Sequence, residues 1–254
     1  MRFNRAAVVS LNWQTLLREL VVTFIGVLMA LAVSALWSER QEHIKEHTAL
    51  TQLLATTREN ERIINQAIFE DSSTASIDGA MRNDFAQDVA TLSNDSVAVW
   101  LAWSARMSAF EPLTGAYTAL VQSGDINLVR DAVLRGKIVT YTGQLDAKIQ
   151  ALRIFESAGV TNFLASFGAF PPALQLWWSK PVSPPPDVSA LRKDAKLALL
   201  LTQRYTTAGN RVARLRRLRV QTVDLRSALE KALGQKPVPV PQPRPFRVGP
   251  RAAT

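Results

Sequence analysis

The chain has 254 residues, a formal net charge of +9 and a hydrophobic content of 47%. This length is sufficient to bury one sizeable core or two small ones. The chain contains no cysteine, which excludes disulfide bonds and metal sites built from thiolates.

A long apolar segment near the N-terminus is the first predicted element. Leu20 to Ser38 reads LVVTFIGVLMALAVSALWS, with no charged residue and no proline. At about 1.5 Å per residue, this helix would span roughly 28 Å, close to a hydrocarbon core of about 30 Å. Trp13 and Trp37 lie near its ends, where tryptophan favours the membrane interface. We therefore predict a flank over residues 1–19 and a transmembrane helix over residues 20–38.

The processing and orientation of this segment are separate questions. The segment is predicted to be an uncleaved signal anchor, although VSA, ending at Ala35, also has the small-x-small pattern of a cleavage site. The anchor is favoured because the helical pattern continues through Ala35. Arg2, Arg5 and Arg18 precede the segment and favour a cytoplasmic N-terminus. The expected location is thus the bacterial inner membrane, single-pass, with a periplasmic C-terminal domain.

Three small residues share one face of the predicted membrane helix. Gly26, Ala30 and Ser34 are spaced by four residues. Small side chains at this spacing allow two helices to approach closely, so a homodimer through this face is one expectation. The alternative is that they are ordinary members of a membrane helix, in which small residues are common.

The next segment contains the only two histidines of the chain. His43, Glu46 and His47 form an H-x-x-E-H pattern, in which two histidines bind zinc and the glutamate activates a water. A catalytic zinc also needs a third protein ligand and a cleft for the substrate, and no downstream motif clearly supplies them. We predict a solvated, ion-paired helix face, and no catalytic, cofactor-binding or metal-binding residue in the chain. A zinc-dependent hydrolase is the alternative.

The pattern that follows predicts an all-α domain over residues 39–233. An amphipathic helix continues from the membrane segment to about Glu70, because apolar residues recur at helical spacing. DSSTASIDG, residues 71–79, is predicted to be a loop, and a short helix follows it. Strands with alternating polarity are almost absent.

Caps and turn residues mark the helices in the middle of the chain. SNDS, beginning at Ser93, offers caps for one helix, and Gly124 is predicted to end another that begins near Pro112. Asp131 can cap a further helix that runs to about residue 157. Tyr117 and Leu120 are expected to face Ile138 and Tyr141 across the turn, with Ile126 and Leu128 filling its end. Residues 169–188 are rich in proline and irregular, and their Trp177-Trp178 pair is expected to cover the core.

The last predicted helix, residues 188–233, contains eleven basic and three acidic residues. Its strongest charge cluster is Arg211, Arg214, Arg216, Arg217 and Arg219. These arginines are predicted to form a solvated face, and the alternative is a site for a polyanion, an anionic lipid or an acidic protein. Nucleic acid is not predicted as a partner, because the domain is expected outside the cytoplasm. Residues 234–254 are basic and rich in proline, which predicts a disordered tail.

This last helix is predicted to pack antiparallel against the helix that leaves the membrane. The first helix carries acidic residues on a face predicted to be exposed, including Glu59, Glu61 and Glu70, whereas the last helix is basic. Each also has an apolar stripe that it cannot bury alone. Burial of the stripes is expected to supply most of the energy.

Two blocks of the chain resemble a widespread group of bacterial single-pass membrane proteins that have no assigned activity. The first is LLRELVVTFIGVLMALAVSALWSERQE together with RENERI, and the second is FEPLTGAYTALVQSGDINLVRDAVLRGKIVTYTGQLD, Phe110–Asp146. The resemblance implies one membrane span, an α-helical extramembrane domain and a place in the cell envelope. It implies no catalytic residue. The expected function is a membrane-anchored, non-enzymatic interaction, scaffold or ligand-sensing protein.

Overall fold

The computed structural model describes residues 13–87, 90–104, 110–167, 187, 189–237 and 239. These residues form five α-helices, two short 3-10 turns and no strand, which confirms the predicted all-α class. The helices are α1 (Trp13–Phe85), α2 (Asn94–Ser104), α3 (Gly115–Gln122), α4 (Ala132–Phe167) and α5 (Ala195–Ala232). The Trp177-Trp178 pair and most of the proline-rich tail lie outside the described residues.

The chain divides into two units, Met1–Ala49 and Leu50–Thr254. In the first unit, α1 carries the apolar segment, with an 18-residue window of mean hydropathy 2.4 in which no residue is buried. The described part of the chain therefore contains one helix that is long and apolar enough to cross a membrane.

Helix α1 continues beyond its predicted end near Glu70, and the loop predicted over residues 71–79 is helical. Asp71 and Asp78 are spaced by seven residues, so they lie on one face two turns apart, and both are buried in ion pairs. Gly79 fits closely beside Tyr205, whose ring carbons lie 3.1 Å from the place that a Cβ would take. These tertiary contacts offset the low helix propensity of the segment, which the sequence pattern alone had suggested was a loop.

Three boundaries in the middle of the chain follow the predicted caps. Ser93 Oγ accepts a hydrogen bond from Ser96 N at 3.1 Å, just before α2. Gly124 has the left-handed φ of 82° and lies between the end of α3 and the 3-10 turn Asp125–Leu128. Asp131 Oδ1 accepts a hydrogen bond of 2.8 Å from Val133 N at the start of α4. These caps are short-range features, and the sequence predicted each of them correctly.

The limits of the two longest helices of the second unit differ from the prediction. Helix α4 reaches Phe167 and does not stop near residue 157. Helix α5 begins at Ala195 and not at residue 188, because Asp194 accepts hydrogen bonds from the backbone N–H groups of Lys196 and Leu197. A 3-10 turn over Ser189–Lys193 precedes it.

The main core of the second unit lies where α4 packs against α5. Their buried residues recur at spacings of three and four residues, which is the spacing of a seam between bundle helices. On α4 and α5 they are Leu134, Ile138, Tyr141, Leu145, Ile149, Leu152, Leu215, Leu218, Thr222, Leu225 and Leu229. A second cluster joins the end of α1 to α2, the 3-10 turn and the start of α5: Met81, Val97, Ala98, Leu101, Leu191, Leu197, Leu200 and Leu201.

The predicted hairpin of α3 and α4 is present. The rings of Tyr117 and Tyr141 lie 5.3 Å apart, and both tyrosines are buried. Ile126 and Leu128 are only half-buried, however, and Val129 is the residue that is fully buried at the end of the hairpin. The prediction of Ile126 and Leu128 as the filling residues was wrong, because Val129, directly after the 3-10 turn Asp125–Leu128, takes that place.

Candidate functional site

A row of five ion pairs joins the second-unit part of α1 to α5 and to the turn before it. The charged atoms lie 3.0 Å apart in Arg58–Glu230, 3.2 Å in Glu61–Arg226, 2.7 Å in Asp71–Arg211 and 3.3 Å in Asp78–Arg204, and Asp84–Arg192 completes the row. Residue numbers rise along α1 as they fall along α5. The two helices are therefore antiparallel, as predicted.

The acidic members of this row are almost fully buried. Asp78 and Glu230 are 0% and 1% exposed, so their charges have lost nearly all hydration. The Nε atoms of Arg204, Arg211 and Arg226 lie within 3.3 Å of their carboxylates. The attraction between these opposite charges compensates part of the lost hydration.

Asp78 contacts polar side chains of two other helices. Burial raises the pKa of its carboxyl group, while Arg204 and a hydrogen bond from Ser104 oppose that change. Ser104 Oγ donates to Asp78 Oδ1 at 2.5 Å. The carboxyl group is thus bound by α2 and α5 at the same time. Its polar contacts serve to hold these helices together.

Asp84 joins three segments at the end of α1. Its Oδ1 accepts hydrogen bonds from Thr91 N at 2.6 Å and Leu92 N at 2.8 Å, and its Oδ2 pairs with Arg192. Arg192 also donates to the carbonyl oxygen of Leu92 at 2.6 Å. This arrangement fixes the entry to α2 and the 3-10 turn before α5.

A separate cluster of polar side chains lies inside the bundle, between α1, α3, α4 and α5. Thr57 Oγ1 and the Tyr117 hydroxyl are 2.7 Å apart, and the Tyr141 hydroxyl and Thr222 Oγ1 are 3.0 Å apart. Asn60 binds the backbone of Leu113 through both its amide oxygen and its amide nitrogen. Burial raises the pKa of both tyrosines. The phenols are therefore neutral hydrogen-bonding groups that position helices.

The two histidines of the H-x-x-E-H pattern lie on the exposed surface of α1, and Glu46 between them is half-buried. His43 Nδ1 is 3.8 Å from Glu46 Oε2, and His47 is exposed. Among the described residues, no group of three or more His, Asp or Glu side chains is placed to hold a metal ion. The structure therefore does not supply a third ligand to His43 and His47 from this part of the chain.

The three small residues of the apolar segment are also exposed. Gly26, Ala30 and Ser34 all lie on the surface of the first unit, and the space beside Gly26 is open within 4 Å. A homodimer through this face stays a prediction.

The five arginines of the cluster on the last helix do not lie together on one exposed surface. Arg211 is 4% exposed and pairs with Asp71, so its predicted place in a solvated face, and in the alternative binding face, was wrong. It precedes Leu215 by four residues and Leu218 by seven, so the helix period itself places Arg211 in the buried stripe. Arg214, Arg216, Arg217 and Arg219 are exposed. Helical spacing could have separated Arg211 from the other four.

Two of the grooves on the described surface run along α5. The first, the α1–α5 groove, has a volume of about 690 Å³ and is lined by Asn65, Ile68, Phe69, Ser72, Arg216, Arg219, Val220 and Val223. The second lies between α4 and α5, has a volume of about 470 Å³, and is lined by polar side chains that include Lys137, Gln144, Gln221 and Asp224. In the second groove, Lys137 and Asp224 form an ion pair of 2.7 Å.

Comparison of the chain with protein-family models, with curated proteins and with solved structures finds no match.

Proposed function

We propose that this chain is a membrane-anchored, non-enzymatic interaction protein of the bacterial envelope, of the scaffold or ligand-sensing kind. The observation that carries the proposal is the apolar segment of α1, in which no residue of the most hydrophobic window is buried. In contrast, the long helices of the second unit bury their apolar stripes against one another. The exposed apolar surface of the first unit therefore favours lipid as its surroundings, whereas the second unit, whose apolar stripes are buried, is suited to water.

The exposed area of this segment is the physical reason for a lipid environment. Phe24 is 62% exposed, Leu28 49% and Leu31 61%. Each apolar side chain kept from water stabilises by about 1.5–3 kcal/mol, so a helix with so many exposed apolar residues is strongly driven into a bilayer. A contiguous apolar surface, such as the one that these residues form, marks a contact with a membrane or with another protein.

The pairing of the buried polar groups with one another favours an interaction role. The buried carboxylates of the second unit lie opposite arginines across helix seams, and the buried tyrosines bond to threonines. These groups are used to define the arrangement of the helices. No observation specifically favours the zinc-dependent hydrolase, whose candidate ligands His43 and His47 are exposed on α1.

Membrane fractionation of the full chain tests the proposal. Arginine at the centre of a membrane helix costs about 2.5–3.5 kcal/mol, so Val27→Arg combined with Leu31→Arg should release the chain from membranes washed at alkaline pH. The matched control, Val27→Leu combined with Leu31→Val, should remain in the membrane pellet. Retention of the double-arginine variant to the same extent as the control would contradict membrane anchoring.

A further inference from the structure

The α1–α5 groove combines an apolar floor with positive charge on one side. Ile68 and Phe69 of α1 and Val223 of α5 are half-buried in it, and Val220 at its edge is 70% exposed. Arg216 and Arg219 are exposed and lie three residues apart on α5, so their side chains are neighbours along the groove.

The charge of the groove is not neutralised by its own lining. Its eight lining residues include two arginines and no acidic side chain. Within the part of the chain that the structure describes, no ion pair joins Arg216 or Arg219 to a carboxylate. An occupant that contacts both walls must therefore bring apolar surface and negative charge together.

Two occupants from this protein itself have the wrong charge. In a two-fold symmetric dimer formed through this groove, Arg216 and Arg219 would face their own copies, which is repulsive. Residues 234–254 contain four basic residues and no acidic residue, so this segment would also be repelled. The charge therefore favours a different molecule.

We propose that the α1–α5 groove binds an amphipathic helix of a partner protein, with Asp or Glu residues beside its apolar stripe. The inference rests on the proposed role as an interaction protein, for which it supplies the surface. A groove between two antiparallel helices is the place where a further helix packs in a bundle. Apolar side chains at helical spacing would contact Ile68, Phe69 and Val223, and carboxylates would accept bidentate hydrogen bonds from the two arginines.

Geometry favours a helix over a lipid surface. A helix can place a row of side chains into a concave groove, whereas a bilayer presents an extended surface that meets convex faces more readily. The exposed arginines outside this groove, Arg214 and Arg217, provide an internal comparison because neither belongs to its lining. Burial of the apolar floor should give most of the affinity, and the arginines should select acidic over basic helices.

Peptide binding to the full chain in detergent micelles tests this proposal. The probes are fluorescent helical peptides with leucine at positions i, i+3, i+4 and i+7, flanked by glutamates whose stagger varies across a panel. A matching panel carries lysine in place of glutamate. At least one glutamate peptide should bind the wild-type chain, and R216E/R219E should weaken it by about tenfold or more, equivalent to about 1.4 kcal/mol.

Charge reversal makes the result specific. The lysine panel should bind R216E/R219E better than the wild-type chain, while the control R214E/R217E should leave binding of the glutamate peptides within about twofold. Thermal unfolding of each variant checks that the fold is intact.

Three outcomes would overturn the proposal. They are equal binding of the two panels to the wild-type chain, equal loss of binding in both arginine variants, and no binding by any glutamate peptide. In the last case, phosphatidylglycerol vesicles that bind the wild-type chain but not R216E/R219E would identify a lipid site. Because the assay is done in detergent, its failure would leave membrane anchoring and orientation unaffected.

Discussion

At the scale of single residues, one buried face of α1 changes from apolar to ionic along its length. Leu50, Thr57, Ile64, Asp71 and Asp78 are spaced by seven residues, and all five are buried. A seven-residue spacing keeps side chains on one face of a helix that packs along its partner. The first members pack or form neutral hydrogen bonds, and the later members require an arginine opposite them.

The Asp71–Arg211 pair gives the first stability prediction. Asp71→Leu and Arg211→Leu should each lower the free energy of unfolding by about 3–5 kcal/mol, because each leaves a buried charge without its partner. The double variant should lose much less than the sum of the two, since it leaves neither charge. Urea unfolding of the four chains measures the coupling.

The exposed Glu59–Arg62 pair on α1 is the matched control, with a separation of 2.7 Å. Its single substitutions to alanine should change the free energy of unfolding by only about 0–1 kcal/mol. Additive losses at Asp71 and Arg211 would show that their charges are not coupled in the folded chain.

Tyr117 gives a prediction for alkaline pH. Burial raises the pKa of Tyr117 above its ordinary value of 10.0, so above that pH the unfolded chain ionises this phenol while the folded chain resists ionisation. Stability from this group is complete below pH 10 and is lost as the pH rises further. Tyr117→Phe should therefore reduce the steepness of alkaline unfolding, measured by circular dichroism against pH.

Two features make this test interpretable. Tyr117→Phe also removes the hydrogen bond to Thr57, so its stability at neutral pH should fall by about 0.5–1.5 kcal/mol. Tyr205→Phe, at a residue that is 40% exposed, is the comparison variant. Equal steepness of the alkaline transition in the wild-type chain and in Tyr117→Phe would refute the assigned role of Tyr117.

At the scale of helices, the sequence predicted the boundaries that depend on neighbouring residues. Ser93, Gly124 and Asp131 act within a few residues of their own positions, so their effects can be recognised in the sequence. The end of α1 could not be found in this way, because Asp71 and Asp78 meet arginines more than a hundred residues later. Local propensity favoured a loop there, and long-range charge pairing determined a helix.

The same difference between features that the sequence predicts and features that depend on long-range packing applies to the candidate surface. The excess of positive charge on the last helix and its antiparallel packing were predictable from composition and apolar stripes. The α1–α5 groove was not, because its floor combines Phe69 of α1 with Val223 of α5. Two segments that are so distant in the sequence form a surface only when α1 and α5 are packed together at a fixed axial position.

Leu120 tests the hairpin of α3 and α4. This residue is 7% exposed, so Leu120→Ala should remove packed atoms and lower the free energy of unfolding by about 2–5 kcal/mol. Val133→Ala, at a position of α4 that is 71% exposed, should change it by less than about 0.5 kcal/mol. A thermal midpoint unaffected by Leu120→Ala would show that α3 does not pack as described.

At the scale of the whole molecule, the proposed orientation places the second unit in the periplasm. Three arginines precede the apolar segment, at positions 2, 5 and 18, and this charge favours a cytoplasmic N-terminus. A reporter that is active only in the periplasm should be active when fused after Thr254. The control is the same fusion to a reporter that is active only in the cytoplasm, which should be silent.

Reversed reporter activities would put the second unit in the cytoplasm. The exposed arginines of α5 would then be accessible to nucleic acid, and polyanion binding would become the stronger hypothesis. The peptide experiment on the α1–α5 groove would still apply, because its result depends on the surface and not on the compartment.

The ion-pair row also determines how α5 could slide along α1. Asp71 and Asp78 are spaced by seven residues, and so are their partners Arg204 and Arg211. A shift of one turn would leave all four charges buried beside the wrong neighbours, whereas a shift of two turns, about 10.5 Å, would bring Asp78 opposite Arg211 and restore one pair. That shift would also separate Arg58–Glu230, Glu61–Arg226 and Asp84–Arg192, so only the observed register pairs all the buried charges of the row.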